Sequence, residues 1–137
     1  MKRNYFLYLL SVVALAMLAA CGAAGESSKL SSTSLEGTWR IVSINGVNVP
    51  AGNSIDFNSG NNTFSCKTNC NTINGRYTVD DLNIRLEPGM MTRMACLDPT
   101  IENSLMDVLP KIVRMKLQPD GTVAFYNSSD EVILTLT

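Results

Sequence analysis

From Gly37 onward the chain is cut into short segments that alternate apolar and polar residues, each closed by a turn signal. That period-two pattern, repeated at meander spacing, constrains the fold more than any other feature. "GTWRIVSI" puts Trp39, Ile41 and Ser43 on one face and Arg40, Val42 and Ile44 on the other, and ends in Asn45-Gly46, a strong two-residue hairpin signal. "SIDFN" and "NTFSC" alternate around the turn "SGN". "GRYTV" and "LNIRLE" flank Asp80-Asp81. "RMKLQ", "TVAFYN" and "EVILTLT" follow, punctuated by Pro119-Asp120-Gly121 and "NSSD". The pattern predicts seven or eight antiparallel strands joined by hairpins.

One segment breaks the period. In "DPTIENSLMDVLPKI" the residues Ile101, Leu105, Val108, Leu109 and Ile112 recur at the spacing of one helical face. Asp98 suits an N-cap, Pro99 the first helical position, and Glu102 the positive end of the helix dipole, while Pro110 stops the helix near Leu109. The expected fold class is therefore α+β and mainly antiparallel β. It is a curved, meander-like sheet packed on one amphipathic helix, with no room for a doubly wound parallel sheet.

The front end has a different grammar. Lys2 and Arg3 precede the apolar run 5–18, too short for a bilayer span of ~20 residues, and Leu18-Ala19-Ala20-Cys21 resembles a bacterial lipobox. The resemblance implies cleavage before Cys21 and acylation of its thiol and of the new amino terminus. Residues 1–20 are then a lipoprotein signal peptide, and 21–34 a lipidated cysteine with a Gly/Ala/Ser-rich tether. Such a tether has an r.m.s. reach of ~20 Å. Residues 35–137 form the domain. Two or three acyl chains, each burying methylenes at roughly 0.8 kcal/mol apiece, would hold it on a bilayer. The expected address is the bacterial cell envelope, with the outer membrane favoured and the domain in the periplasm or at the cell surface.

Composition removes several functions. The chain has 137 residues and a formal charge of −1, and only Lys2 and Arg3 of its 11 basic residues precede Cys21. No basic surface is left to draw nucleic acid. There is no histidine, which takes away the commonest general base and the commonest zinc ligand. No cofactor and no metal site is expected.

Three runs carry a family resemblance: Thr68-Asn69-Cys70-Asn71, Asn74-Gly75-Arg76-Tyr77, and Met91-Thr92-Arg93-Met94-Ala95-Cys96. With the opening "LEGTWRIVSINGVNV", they resemble the META domain of the HslJ-like heat-shock lipoprotein family over residues 35–137. The family pattern has glycine where this chain has Asn69, and asparagine tolerates the left-handed backbone that glycine would supply. Cys66 is an extra cysteine. The resemblance implies a compact β-rich envelope domain with a stress association and no established catalytic activity.

Once Cys21 is lipidated, three thiols remain in a compartment that favours disulfides. Cys70 and Cys96 both sit in the matching motifs, and closing their loop is worth roughly 3 kcal/mol in the chain-entropy model. A Cys66–Cys96 bridge, local pairing and the reduced form are the alternatives. Cys66 is the candidate free thiol, read either as a small buried hydrophobe or as an exchange site. Arg93, Asn71, Met91 and Met94 are candidate contacts for a ligand or partner. Against that, Arg93 suits a structural ion pair with Asp98 or Glu102, and Met90, Met91 and Met94 suit core filling beneath the helix. The leading function is a non-enzymatic envelope lipoprotein that binds another envelope protein or a small apolar ligand. The alternatives are an inhibitor-like β scaffold directed at a protease or lysozyme, and a hydrolase using a thiol or carboxylates such as Asp56 and Glu87.

Overall fold

A computed structural model describes residues 35–137; the expected signal peptide, the expected lipidation site Cys21 and the expected tether lie outside the described residues. Among the described residues nine strands run in chain order: β1 Gly37–Ile44, β2 Val47–Asn48, β3 Ser54–Asn58, β4 Thr63–Lys67, β5 Thr72–Asp80, β6 Asn83–Met91, β7 Arg114–Leu117, β8 Val123–Tyr126 and β9 Val132–Leu136. Helix α1, Thr100–Val108, lies between β6 and β7 and is followed by a 3-10 turn at Leu109–Lys111 that contains Pro110. The ninth strand is β2, the two-residue arm of the Asn45-Gly46 hairpin. Both turn residues take positive φ, 49° and 76°, as a type I′ turn requires.

Every pairing is antiparallel, and the sheet closes on itself. Strand β1 pairs with β3 through Gly37–Arg40 and with β9 through Ile41–Ile44, so the meander from β3 to β9 returns to its start. The seam is narrowest between β6 and β7, which share the single register pair Asn83–Arg114. There the chain leaves the sheet to form α1.

Alternation places the core. In β3 and β4, Ile55, Phe57, Phe64 and Cys66 point inward and their neighbours outward. Phe57 meets Tyr77 edge-on at 5.1 Å between centroids and Phe64 at 6.5 Å, so aromatic rings occupy the interior of the ring. Leu105, Val108, Leu109 and Ile112 complete the same core from the helix side. Gly75 lies opposite Phe64, and a Cβ there would fall 2.6 Å from the Phe64 ring and 2.4 Å from the Glu87 carbonyl oxygen. Only a residue without a side chain admits that ring.

Three local expectations need correction. Ile44 is buried along with Ile41, rather than facing away from it, because a register shift between Ile41 and Ser43 inserts a residue into β1 against β9. A bulge reverses the parity downstream of it. Pro99 precedes the helix instead of opening it, although Asp98 Oδ1 accepts the Thr100 N–H at 3.0 Å and so still ties down the helix start. Asn69 does not adopt positive φ; the turn at 68–71 makes no such demand.

Candidate functional site

The three motif runs converge at one end of the sheet, where the turn at 68–71, the segment after β6 and the first turn of α1 meet. Cys70 and Cys96 form a disulfide there with Cα atoms 5.9 Å apart. Cys66 is left free and buried in β4, which rules out the Cys66–Cys96 pairing. Burial pushes its thiol up to about 12, so it is an inert apolar filler and not an exchange site.

Asn71 is the hub, and only 4% of it is exposed. Its Oδ1 accepts the Thr92 hydroxyl at 3.0 Å and the Met94 N–H at 2.8 Å. Its Nδ2 donates to Glu102 Oε2 at 3.1 Å and to the Met94 carbonyl at 3.3 Å. One amide thus stitches the start of β5 to the loop after β6 and to the helix. Thr68 closes the turn: its Oγ1 accepts the Asn71 N–H at 2.9 Å and lies 2.9 Å from Glu102 Oε1. The Asn71 carbonyl already receives the Thr68 N–H, so the hydroxyl proton goes to the carboxylate, where the bond is charge-assisted.

Glu102 is therefore not a solvent-facing partner of the helix dipole. It is 5% exposed, each oxygen accepts a hydrogen bond from a neutral donor, and no cation pairs with it among the described residues. One of its oxygens and the sulfurs of Cys70 and Cys96 lie within 4.8 Å of one another. With both sulfurs bound to each other, that trio offers one ligand, not three.

The structure splits the candidate contacts. Asn71 belongs to the internal scaffold. Arg93 is exposed and makes no ion pair with Asp98 or Glu102. Met91 packs partly against the core, but Met90 and Met94 are 81% and 64% exposed, so they do not fill space beneath the helix. The reason is that β6 ends at Met91 and Asn71 then holds the Met94 backbone, which turns its side chain outward. Leu97 is fully exposed as well. Asp56 on β3 and Glu87 on β6 are exposed and separated by β4 and β5, so the two acids considered for a hydrolase do not converge.

Beside the disulfide lies a cleft of about 370 Å³, walled by the turn at 50–53, the turn at 68–70 and residues 95–102. Sequence reasoning missed Asn53 in its wall and the burial of Glu102. Both had a signal: Asn53 shares the inward parity of Ile55 and Phe57, and Glu102 falls at the i, i+3, i+7 spacing of Leu105 and Leu109.

A family model described as the META domain matches residues 32–137. No curated protein matches the chain. Among solved structures, a DUF4847 family protein from Bacteroides vulgatus is similar, with a TM-score of 0.58 and 13% identity over 75% of this chain and 92% of its own. A protein from Burkholderia xenovorans is also similar, with a TM-score of 0.59 and 21% identity over 77% of this chain and 83% of its own. These two likenesses concern the fold alone.

Proposed function

From the premise that this chain belongs to the META domain family, we propose that it is a non-enzymatic binding domain. In this reading it is carried on a lipidated Cys21 in the bacterial envelope and docks another envelope protein in a support role under stress. One observation carries the docking: the loop at 92–98 presents Met94 and Leu97 to solvent while its base is fixed by the Cys70–Cys96 bridge and by Asn71. An apolar tip ordered in advance loses little conformational entropy on binding. The ring interior is filled by Phe57, Phe64 and Tyr77, which favours a protein partner at the surface over an apolar ligand within.

Capture from envelope extracts tests the reading. The natural protein is compared with a Met94→Asp/Leu97→Asp variant and with Leu117→Asp, which alters an exposed apolar residue on β7. A partner retained by the natural protein and by Leu117→Asp, and lost with the loop variant, is the expected result. Equal retention by all three, or by none, refutes loop docking. Mass spectrometry of the mature amino terminus tests the anchor separately: an unmodified Cys21 removes it.

A further inference from the structure

Breaking the Cys70–Cys96 bridge turns the trio beside it into three separate donors. The half-buried sulfurs and the nearer Glu102 oxygen already lie within 4.8 Å of one another. A tetrahedral zinc site has arms of about 2.3 Å to sulfur and about 2.0 Å to oxygen, so its S···O edges are ~3.5 Å and its S···S edge ~3.8 Å. Glu102 Oε1 stands 3.4 Å from Cys96 Sγ, close to that edge. Only the sulfurs have to part, and Cα atoms 5.9 Å apart put this within reach of side-chain rotation. Each donor also has an outer partner. Asn71 Nδ2 lies 3.1 Å from Cys96 Sγ, 3.7 Å from Cys70 Sγ and 3.1 Å from Glu102 Oε2. The Thr68 hydroxyl donates to Glu102 Oε1, whose second lone pair stays available to a metal. Outer hydrogen bonds of this kind orient metal ligands and raise affinity. The cleft beside the bridge has all three donor residues in its wall and gives an ion its way in.

We propose that the reduced domain binds one zinc ion through Cys70 Sγ, Cys96 Sγ and Glu102 Oε1, with water in the fourth position. A dithiol supplies two electrons and two protons to the bridge, leaving two protein thiols and becoming a disulfide itself. Zinc then displaces both thiol protons to solvent, stays divalent, and meets a carboxylate that no cation pairs among the described residues. The donor set selects the metal. Calcium and magnesium take oxygen donors, and copper(I) prefers sulfur to carboxylate, whereas zinc accepts both. With no histidine in the chain, thiolate and carboxylate are the zinc donors it has. Cys66, buried in β4, takes no part. The ion replaces the bridge as the tie between the turn at 68–71 and the segment before α1. Loop docking is read on the bridged protein and zinc on the reduced one, so either can fail alone.

The test is a Zn2+ titration of the full-length protein, bridged and after reduction by a phosphine, against a chromophoric chelator. We expect the reduced chain to take one equivalent with a Kd of about 1 µM or tighter. The bridged chain should bind at least about 100-fold more weakly. Glu102→Gln should weaken the reduced form by more than about tenfold, as loss of a ligand exceeds loss of an outer partner. Cys66→Ser should leave binding unchanged. Co2+ in the natural reduced protein should show thiolate-to-cobalt charge transfer and d–d bands of tetrahedral strength, which keeps the test decisive if Glu102→Gln does not fold. Equal binding by the two redox forms, or none by the reduced form at about 100 µM Zn2+, overturns the proposal. So does binding lost with Cys66→Ser, binding indifferent to Glu102→Gln, or a Co2+ complex without thiolate charge transfer.

Discussion

Replacing Asn71 by aspartate changes one atom of the hub from donor to acceptor and leaves its shape intact. In the native protein Nδ2 donates to Glu102 Oε2 across 3.1 Å, with both residues almost wholly buried. With the introduced carboxyl ionised, two carboxylates would face each other at that distance. At an effective dielectric of about 20 their repulsion comes to ~5 kcal/mol. Taking up one proton at pH 7 from a carboxyl with an ordinary value near 4 costs ~4 kcal/mol, so the variant binds a proton instead, and that figure caps the penalty. The pair then titrates as a unit with one proton shared.

The sign follows from linkage. The shared proton is held more tightly in the folded variant than in the unfolded chain, so its stabilising effect is complete in acid and is lost as pH rises. Between pH ~4 and ~7 the variant should lose ~1.4 kcal/mol per pH unit relative to the natural protein. Near pH ~4 the introduced carboxyl, protonated, donates to Glu102 as the amide did but has no second proton for the Met94 carbonyl, so the variant should trail the natural protein by only about 1 kcal/mol. Urea unfolding at intervals across that range measures the difference directly. Asn71→Ala is the control: it removes the bonds at every pH, and its deficit of ~3 kcal/mol should vary little across the range. Adding Glu102→Gln to the aspartate variant restores a donor–acceptor pair with its roles reversed, and should recover stability and flatten the slope. Parallel pH curves for Asn71→Asp and the natural protein, or no rescue by Glu102→Gln, would refute the facing geometry on which the candidate site is built.

Three further outcomes are expected. Gly75→Ala should destabilise by about 3 kcal/mol in urea unfolding, because its Cβ meets the Glu87 carbonyl and the Phe64 ring, and adding Phe64→Leu should recover only the ring's share. Cys70→Ala/Cys96→Ala should lose about 3.5 kcal/mol by chain entropy for a sequence separation of 26, with a larger denaturant slope as the unfolded chain expands. Cys66 should resist a thiol reagent in the folded protein and react on unfolding; rapid labelling under native conditions would contradict its burial.

Period-two alternation makes the strands legible, because each hairpin buries one parity and exposes the other. The inward residues of β3 and β4 can be counted off "SIDFN" and "NTFSC" directly. The same arithmetic fails at Ile44, where the bulge that lets β1 serve both β3 and β9 is a demand of ring closure and leaves no trace in local composition. At Asn53 and Glu102 periodicity is the better guide and residue type the worse one. Both are polar residues on a buried parity, and type alone (turn former, dipole partner) sends each to the surface. A polar side chain where the period calls for an apolar one must either be paired inside or face a cleft. Glu102 is held by Asn71 and Thr68, and Asn53 keeps an unpaired oxygen. Met94 shows the converse. Its type suggests core, but the sheet ends three residues earlier, and beyond a strand's end parity has no authority; the backbone bonds to Asn71 decide where the side chain goes.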